Sequence, residues 1–171
     1  MRTNELLLDA FERVHQLVGP VVTGLSPEEL AFRPDAQANS IAWLVWHLAR
    51  VQDDHVADVA GLEQVWTAQG WADRFGLPFD VKAHGYGHTA AEVAQVVAPA
   101  DLLAGYHEAV HALTVGYVGA VDAAELDRIV DTRWDPPVSV GVRLVSVLGD
   151  TLQHVGQAAY LRGLVERRRN A

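Results

Sequence analysis

The sequence predicts an all-α fold, a bundle of four long helices, and three observations carry that prediction. Four extended segments repeat apolar residues three and four positions apart, the period of a helix with one buried face. No segment alternates apolar and polar residues as a half-buried strand does, and none reads as a hairpin. Two substantial connections, after the first and second helices, separate the segments into packable rods. At 171 residues the chain fits one domain, residues 1–171, able to bury roughly 70% of its unfolded surface without staples.

Taken in order, the first helix starts at Thr3 and runs to about Val18, with Leu6, Leu7, Phe11, Val14, Leu17 and Val18 in register. Gly19-Pro20 is expected to weaken or bend it. Gly24, Pro27 and Pro34 mark an irregular connection through Asn39, within which Ser26-Pro27-Glu28-Glu29 reads as a short capped turn. Ser40 is a good N-cap for a second helix from Ile41 to about Ala60, apolar on nearly every side through Val51 and therefore central. Residues 61–88 read as a long loop pinned by Trp66, Trp71 and Phe75, a length at which loops often form functional lids or walls. Thr89 and Glu92 form a capping box for a short helix to Ala98. A third long helix starts at Pro99 or Asp101 and continues to about Ala120. Asp122 caps a brief turn through Ile129, Trp134-Asp135-Pro136-Pro137 is a stop, and the last helix spans about Val138 to Arg167.

Composition removes whole classes of chemistry. The chain has no cysteine, so disulfides, thiolate metal sites and a cysteine nucleophile are excluded, and any metal must use His, Asp or Glu. A net charge of −9 argues against a nucleic-acid surface, which needs clustered Lys and Arg. The one basic cluster, Arg167-Arg168-Arg169, is expected to complement a helix dipole or fray. With no apolar window long enough for a membrane span and no signal-like N-terminus, the expectation is a cytoplasmic protein without membrane partners. Twelve arginines against the single Lys82 reflect a GC-rich coding bias rather than a chemistry.

Two apolar helical stretches nevertheless carry ionisable side chains. His47 sits in Ile-Ala-Trp-Leu-Val-Trp-His on the second helix, and Asp150 and His154 lie on the last. Burying even a neutral polar group without a partner costs about 2–7 kcal/mol, so such residues are paired, neutralised or metal-bound. At about 100° per residue, Arg143, Ser146, Asp150, His154 and Gln157 form one polar stripe, with Val145, Leu148, Leu152, Val155 and Ala159 opposite. Asp150 and His154 are one turn apart, a spacing that lets two side chains share an ion or form a simple ion pair. If the two helices pack side by side, His47 completes a His, His, Asp set with open coordination positions, and Asp54 or Gln157 can orient an imidazole.

The segment from Asn39 through His47 to Asp53, and that from Gly141 through Asp150 to Gln157, resemble the DinB/YfiT-like family of metalloenzymes over nearly the whole chain. The resemblance implies a four-helix bundle of DinB/YfiT type with a long connection after the second helix, and three metal ligands at His47, Asp150 and His154. Many members carry His where this chain has Asp150, whereas the related mycothiol-dependent maleylpyruvate isomerase uses a carboxylate there. The ion is therefore a divalent metal such as Zn, Ni, Mn or Fe, with its identity open. The resemblance further implies a thiol S-transferase or isomerase that activates a low-molecular-weight thiol of the mycothiol type toward a small electrophilic substrate, and a homodimer. Arg143, on the ligand face, is the candidate catalytic residue, placed to hold a substrate carboxylate, with Trp43, Trp71 and Tyr86 as pocket walls. The rival readings are a metal-activated-water hydrolase and a non-catalytic metal- or ligand-binding bundle.

A second motif competes. His107-Glu108-Ala109-Val110-His111 spells H-E-x-x-H, the zinc-protease signature. The stripe Leu102, Tyr106, Val110, Leu113 and Tyr117 puts both histidines on the flank of the third helix and Glu108 toward solvent, Thr114 stands where a metzincin needs Gly, and no third ligand is apparent. The short motif reads as coincidence. His84 and His88, around Gly85-Tyr86-Gly87, read as solvent-exposed loop residues, and His15 and His55 carry no signal.

Overall fold

The structure, a computed structural model, describes residues 2–169. Its first long helix, α1 (Thr3–Val22), is followed by the capped turn α2 (Pro27–Leu30). The Ser26 hydroxyl accepts from the Glu29 amide while the Glu29 carboxylate accepts from the Ser26 amide, as the sequence predicts. Helix α3 (Ile41–Ala60) begins with the Trp43 amide donating to the Ser40 hydroxyl at 3.1 Å and ends on Gly61 at φ +65°. Every residue from Ile41 through Arg50 is buried, so α3 is the central rod.

The connection from Gly61 to His88 is not one loop. It holds two short helices, α4 (Val65–Ala68) and α5 (Trp71–Phe75), seeded from α3. The buried Asp53 carboxylate accepts from the Val65 and Trp66 amides at 2.9 and 2.8 Å, capping α4, and from the Tyr106 hydroxyl at 2.8 Å. Helix α6 (Ala90–Val93) has the expected capping box but stops short of Ala98. Val96 and Ala98 are instead drawn into the core, and the residue before Pro99 is disfavoured in the helical region.

Helix α7 (Ala100–Ala120) and the turn α8 (Ala123–Asp127) follow. A two-stranded antiparallel ladder, β1 (Ile129–Asp131) with β2 (Val138–Ser139), pairs Ile129 with Ser139 and Asp131 with Val138. Strands this short show no alternation to read in a sequence, and their pairing moves the start of the last helix, α9 (Val140–Arg169), two residues on. Helix α3 packs on α9 and α7, and α1 on α7 and α9, closing the four long rods into a bundle.

Two expectations about helix ends are corrected. Helix α1 does not stop at Val18 but runs through Gly19-Pro20, because Val21 and Val22 are buried and the Arg162 guanidinium donates to the carbonyls of Pro20, Val21 and Thr23 at 2.7, 3.2 and 2.8 Å. Pro20 removes one amide, the donor that would have met the Gln16 carbonyl, a loss that the burial of Val21 and Val22 and the Arg162 contacts offset. The terminal arginines do not merely fray either: Arg169 pairs with Glu29 and donates to the Gly24 carbonyl at 3.0 Å, and Arg168 lies 4.6 Å over the Phe32 ring. Among the described residues, no helix is long and apolar enough to cross a membrane.

Candidate metal centre

The α3–α9 contact brings His47, Asp150 and His154 together. One ligand atom from each lies within 4.8 Å of the others, and among the described residues this is the one group of three or more such side chains that converges. The His154 Nε2 and Asp150 Oδ1 are 3.5 Å apart across one turn, and the rings of His47 and His154 meet edge to face at 4.8 Å.

Outer contacts decide which nitrogen each imidazole presents. The Nδ1 of His47 donates to the His84 carbonyl, and the Nδ1 of His154 donates to Gln157 Oε1 at 3.0 Å. Both rings are thereby left with Nε2 lone pairs toward the common point, the tautomer a metal ligand requires. Asp150 Oδ2 is buried and has no hydrogen-bond partner, an arrangement that buried carboxylates avoid unless a cation is to be met. Two imidazoles and a carboxylate with one orphaned oxygen fit a divalent transition metal with open positions.

Electrostatics treat the two imidazoles differently. Burial pushes the His47 pKa down, keeping the ring neutral, although the bond to the His84 carbonyl works the other way. The Asp150 carboxylate, 3.5 Å from Nε2, raises that of His154 by stabilising a proton there, the proton that a bound cation would replace. Burial pushes the Asp150 carboxyl up, but its bond to His154 and the charges of both imidazoles outweigh this and hold it below the usual carboxylate value.

The long connection closes on the centre, as its length suggests, but through the His84 carbonyl and Gly85, which the sequence did not single out. Gly85 is buried at φ +96°, and a Cβ there would stand 2.8 Å from His47 Nδ1 and 3.1 Å from the rings of Trp43 and Trp46. Only glycine lets the backbone approach closely enough for the His84 carbonyl to hold His47. His88 is not a free loop residue: its Nδ1 accepts from Trp43 Nε1 at 3.3 Å, and its ring packs on Trp46 and Phe79. The one readable signal was a Gly-Tyr-Gly flanked by two histidines.

Other expected residues fall differently. Trp43 does wall the centre, stacked on His47 at 4.5 Å. Trp71 does not; it is buried against Tyr106 at 5.7 Å, and Tyr86 is 87% exposed. Gln157 orients an imidazole, whereas Asp54 instead accepts from Gln64 Nε2 at 2.7 Å. Arg143 lies beyond the triad, its Nη2 3.3 Å from Asp131 Oδ2. On the opposite side of α9, Val145 and Leu152 are exposed rather than packed, because the buried arc is Leu144, Val147, Thr151, Val155 and Ala158.

His107 and His111 are not on a flank; both are buried, because α1 covers that side of α7. His15 of α1 stacks on His111 at 4.1 Å and on His107 at 5.6 Å, with near-parallel planes. Glu108 is exposed, as expected, and pairs with His15 at 3.2 Å, while His111 pairs with Glu12 at 3.1 Å. Parallel rings point their nitrogens alongside one another rather than at one point, so this set does not converge as the triad does.

Residues 6–167 match the profile of the mycothiol-S-transferase family. A search of curated proteins finds no match. Among solved structures, a conserved protein from Enterococcus faecalis is 32% identical, with a TM-score of 0.90 over 96% of this chain and 98% of its own.

Proposed function

Because the chain belongs to the mycothiol-S-transferase family, we propose that it transfers the sulfur of a mycothiol-type thiol to a small electrophile at a divalent-metal centre held by His47, Asp150 and His154. The observation that carries this reading is the convergence of two imidazoles, each locked to present Nε2, on a carboxylate with an unpartnered oxygen. A divalent cation bound there supplies the positive charge that lowers the pKa of an entering thiol toward neutrality.

The chain's own groups do the rest. The His84 and Gln157 oxygens hold the two Nδ1 protons, so neither ring is free to turn and donate to the thiol. Trp43 lies flat on His47 and keeps water from that side. The thiol sulfur forms a bond to the electrophilic carbon as the leaving group departs with its electron pair, and the thiol proton passes to solvent. Beside Gln157, an apolar cavity of about 430 Å³ lined by Leu44, Tyr160 and Leu161 offers the electrophile a seat.

The test is turnover of a fluorogenic electrophile, monochlorobimane, by the purified metal-loaded protein. The expected result is conjugate formation that saturates with mycothiol, stops after chelation and returns with added cation. Turnover that needs no thiol, or that survives His154→Ala at the wild-type rate, contradicts the reading.

A further inference from the structure

Trp46 precedes His47 by one residue, yet its ring also serves a second place. With Trp66 of α4, Leu77 and Phe79, it lines a cavity of about 380 Å³ whose wall also carries Asp73 and Asp80. None of His47, Asp150 and His154 contributes to that wall. The volume, the apolar lining and the few polar groups are those of a small-molecule site.

Rings, charges and donors each restrict what can fill it. The centroids of Trp46 and Trp66 are 6.5 Å apart with planes at 66°, and those of Trp46 and Phe79 6.1 Å apart at 40°. The rings are therefore adjoining walls rather than a flat stack, and aromatic faces attract cations. Among the described residues neither Asp73 nor Asp80 makes an ion pair; Asp80 Oδ1 accepts from the Lys82 amide at 2.8 Å. No lysine or arginine lines the cavity, and the Arg50 guanidinium, 4.9 Å over Trp66, is faced by Asp53 at 3.7 Å. Two carboxylates without a counter-ion leave the wall negative, so an anion is repelled. Trp46 and Trp66 are 1% and 4% exposed, and the Nε1–H of each is buried without a hydrogen-bond partner. Buried donors are seldom left unpaired, so the occupant has to bring a lone pair as well as a positive charge.

We propose that this cavity binds a small organic ammonium cation that carries a hydroxyl. The cation lies against the aromatic walls and the two carboxylates, and the hydroxyl oxygen accepts from an indole N–H. The site is separate from the metal centre and does not depend on thiol transfer. A phosphodiester on that hydroxyl, as in a lipid head group, would bring an anion beside Asp73 and Asp80, so the occupant is the free amino alcohol.

The probe is choline, titrated into the purified protein and followed by the NMR line width of its methyl protons. The expected result is saturable binding, at least tenfold weaker for 3,3-dimethylbutan-1-ol, its uncharged carbon isostere, and for glycerophosphocholine. Tetramethylammonium, which lacks the hydroxyl, should bind at least threefold more weakly than choline. Asp73 and Asp80 are exposed, so the double variant Asp73→Asn/Asp80→Asn keeps its fold, and it should bind choline at least tenfold more weakly. His154→Ala should bind choline as the wild type does, because His154 is no part of the wall. No saturable binding, equal affinity for any of the three analogues, unaltered affinity in the double variant, or loss of binding in His154→Ala overturns the proposal.

Discussion

At the scale of single residues, the candidate centre depends as much on a missing side chain as on the three that converge. Gly85 has no alternative, since a methyl group would press into His47 Nδ1 and two tryptophan rings at a positive φ. Gly85→Ala is expected to lower metal affinity at least tenfold, read by competition with a chromogenic chelator, while the helical circular dichroism stays at the wild-type value. His107 makes the opposite point, a titratable group whose consequence is stability. Burial, with the charges of His15 and His111 adding to it, holds its pKa down to about 3, against 6.5 for an ordinary histidine. Between those values the unfolded chain binds a proton that the folded chain refuses. Stability therefore falls as pH drops from about 6.5 toward 3, by up to about 1.4 kcal/mol per pH unit. His107→Gln should flatten that slope in urea midpoints between pH 6.5 and 4, and an unchanged slope would remove His107 as its source.

At the scale of elements, the four long helices were legible because each repeats its apolar residues over many turns, and Ser40, Ser26 and Thr89 announce their helices through side chains that accept the first free amides. What was hidden is what depends on a distant partner. Gly19-Pro20 reads as an end until Arg162, from the far end of the chain, takes the last carbonyls of α1. Residues 65–75 read as loop until Asp53 caps α4 from inside α3. The histidines of α7 were put on a flank because the stripe was drawn for one neighbour, whereas α7 has α1 on one side and α3 on the other. The converging residues His47, Asp150 and His154 were legible, being ionisable groups in helices otherwise too apolar to carry them, while the His84 carbonyl and Gly85 that seat His47 were not. Removing Arg162 tests the α1 argument. Arg162→Ala strips the charged donor from three carbonyls and should destabilise the fold by about 1.5–3 kcal/mol in urea denaturation, with α1 losing amide protection around Val21 and Val22 first.

At the scale of the whole molecule, one buried polar network ties the bundle to the connection that finishes the centre. Arg50, fully buried, donates to Gln64 Oε1 at 2.8 Å and to the Ala83 carbonyl at 3.1 Å, lies 4.9 Å over Trp66, and stands 3.7 Å from Asp53. The Ala83 carbonyl precedes His84, so the same guanidinium that faces Asp53 also fixes the strand of chain that holds His47. Asp53→Ala leaves Arg50 buried without its carboxylate and should cost on the order of 3–5 kcal/mol in chemical denaturation. The most direct test of the account is elemental analysis of purified wild-type protein beside His154→Ala and His107→Gln. The account predicts one equivalent of divalent metal in the wild type and in His107→Gln, and its loss in His154→Ala. Metal retained in His154→Ala, or lost in His107→Gln alone, would contradict it.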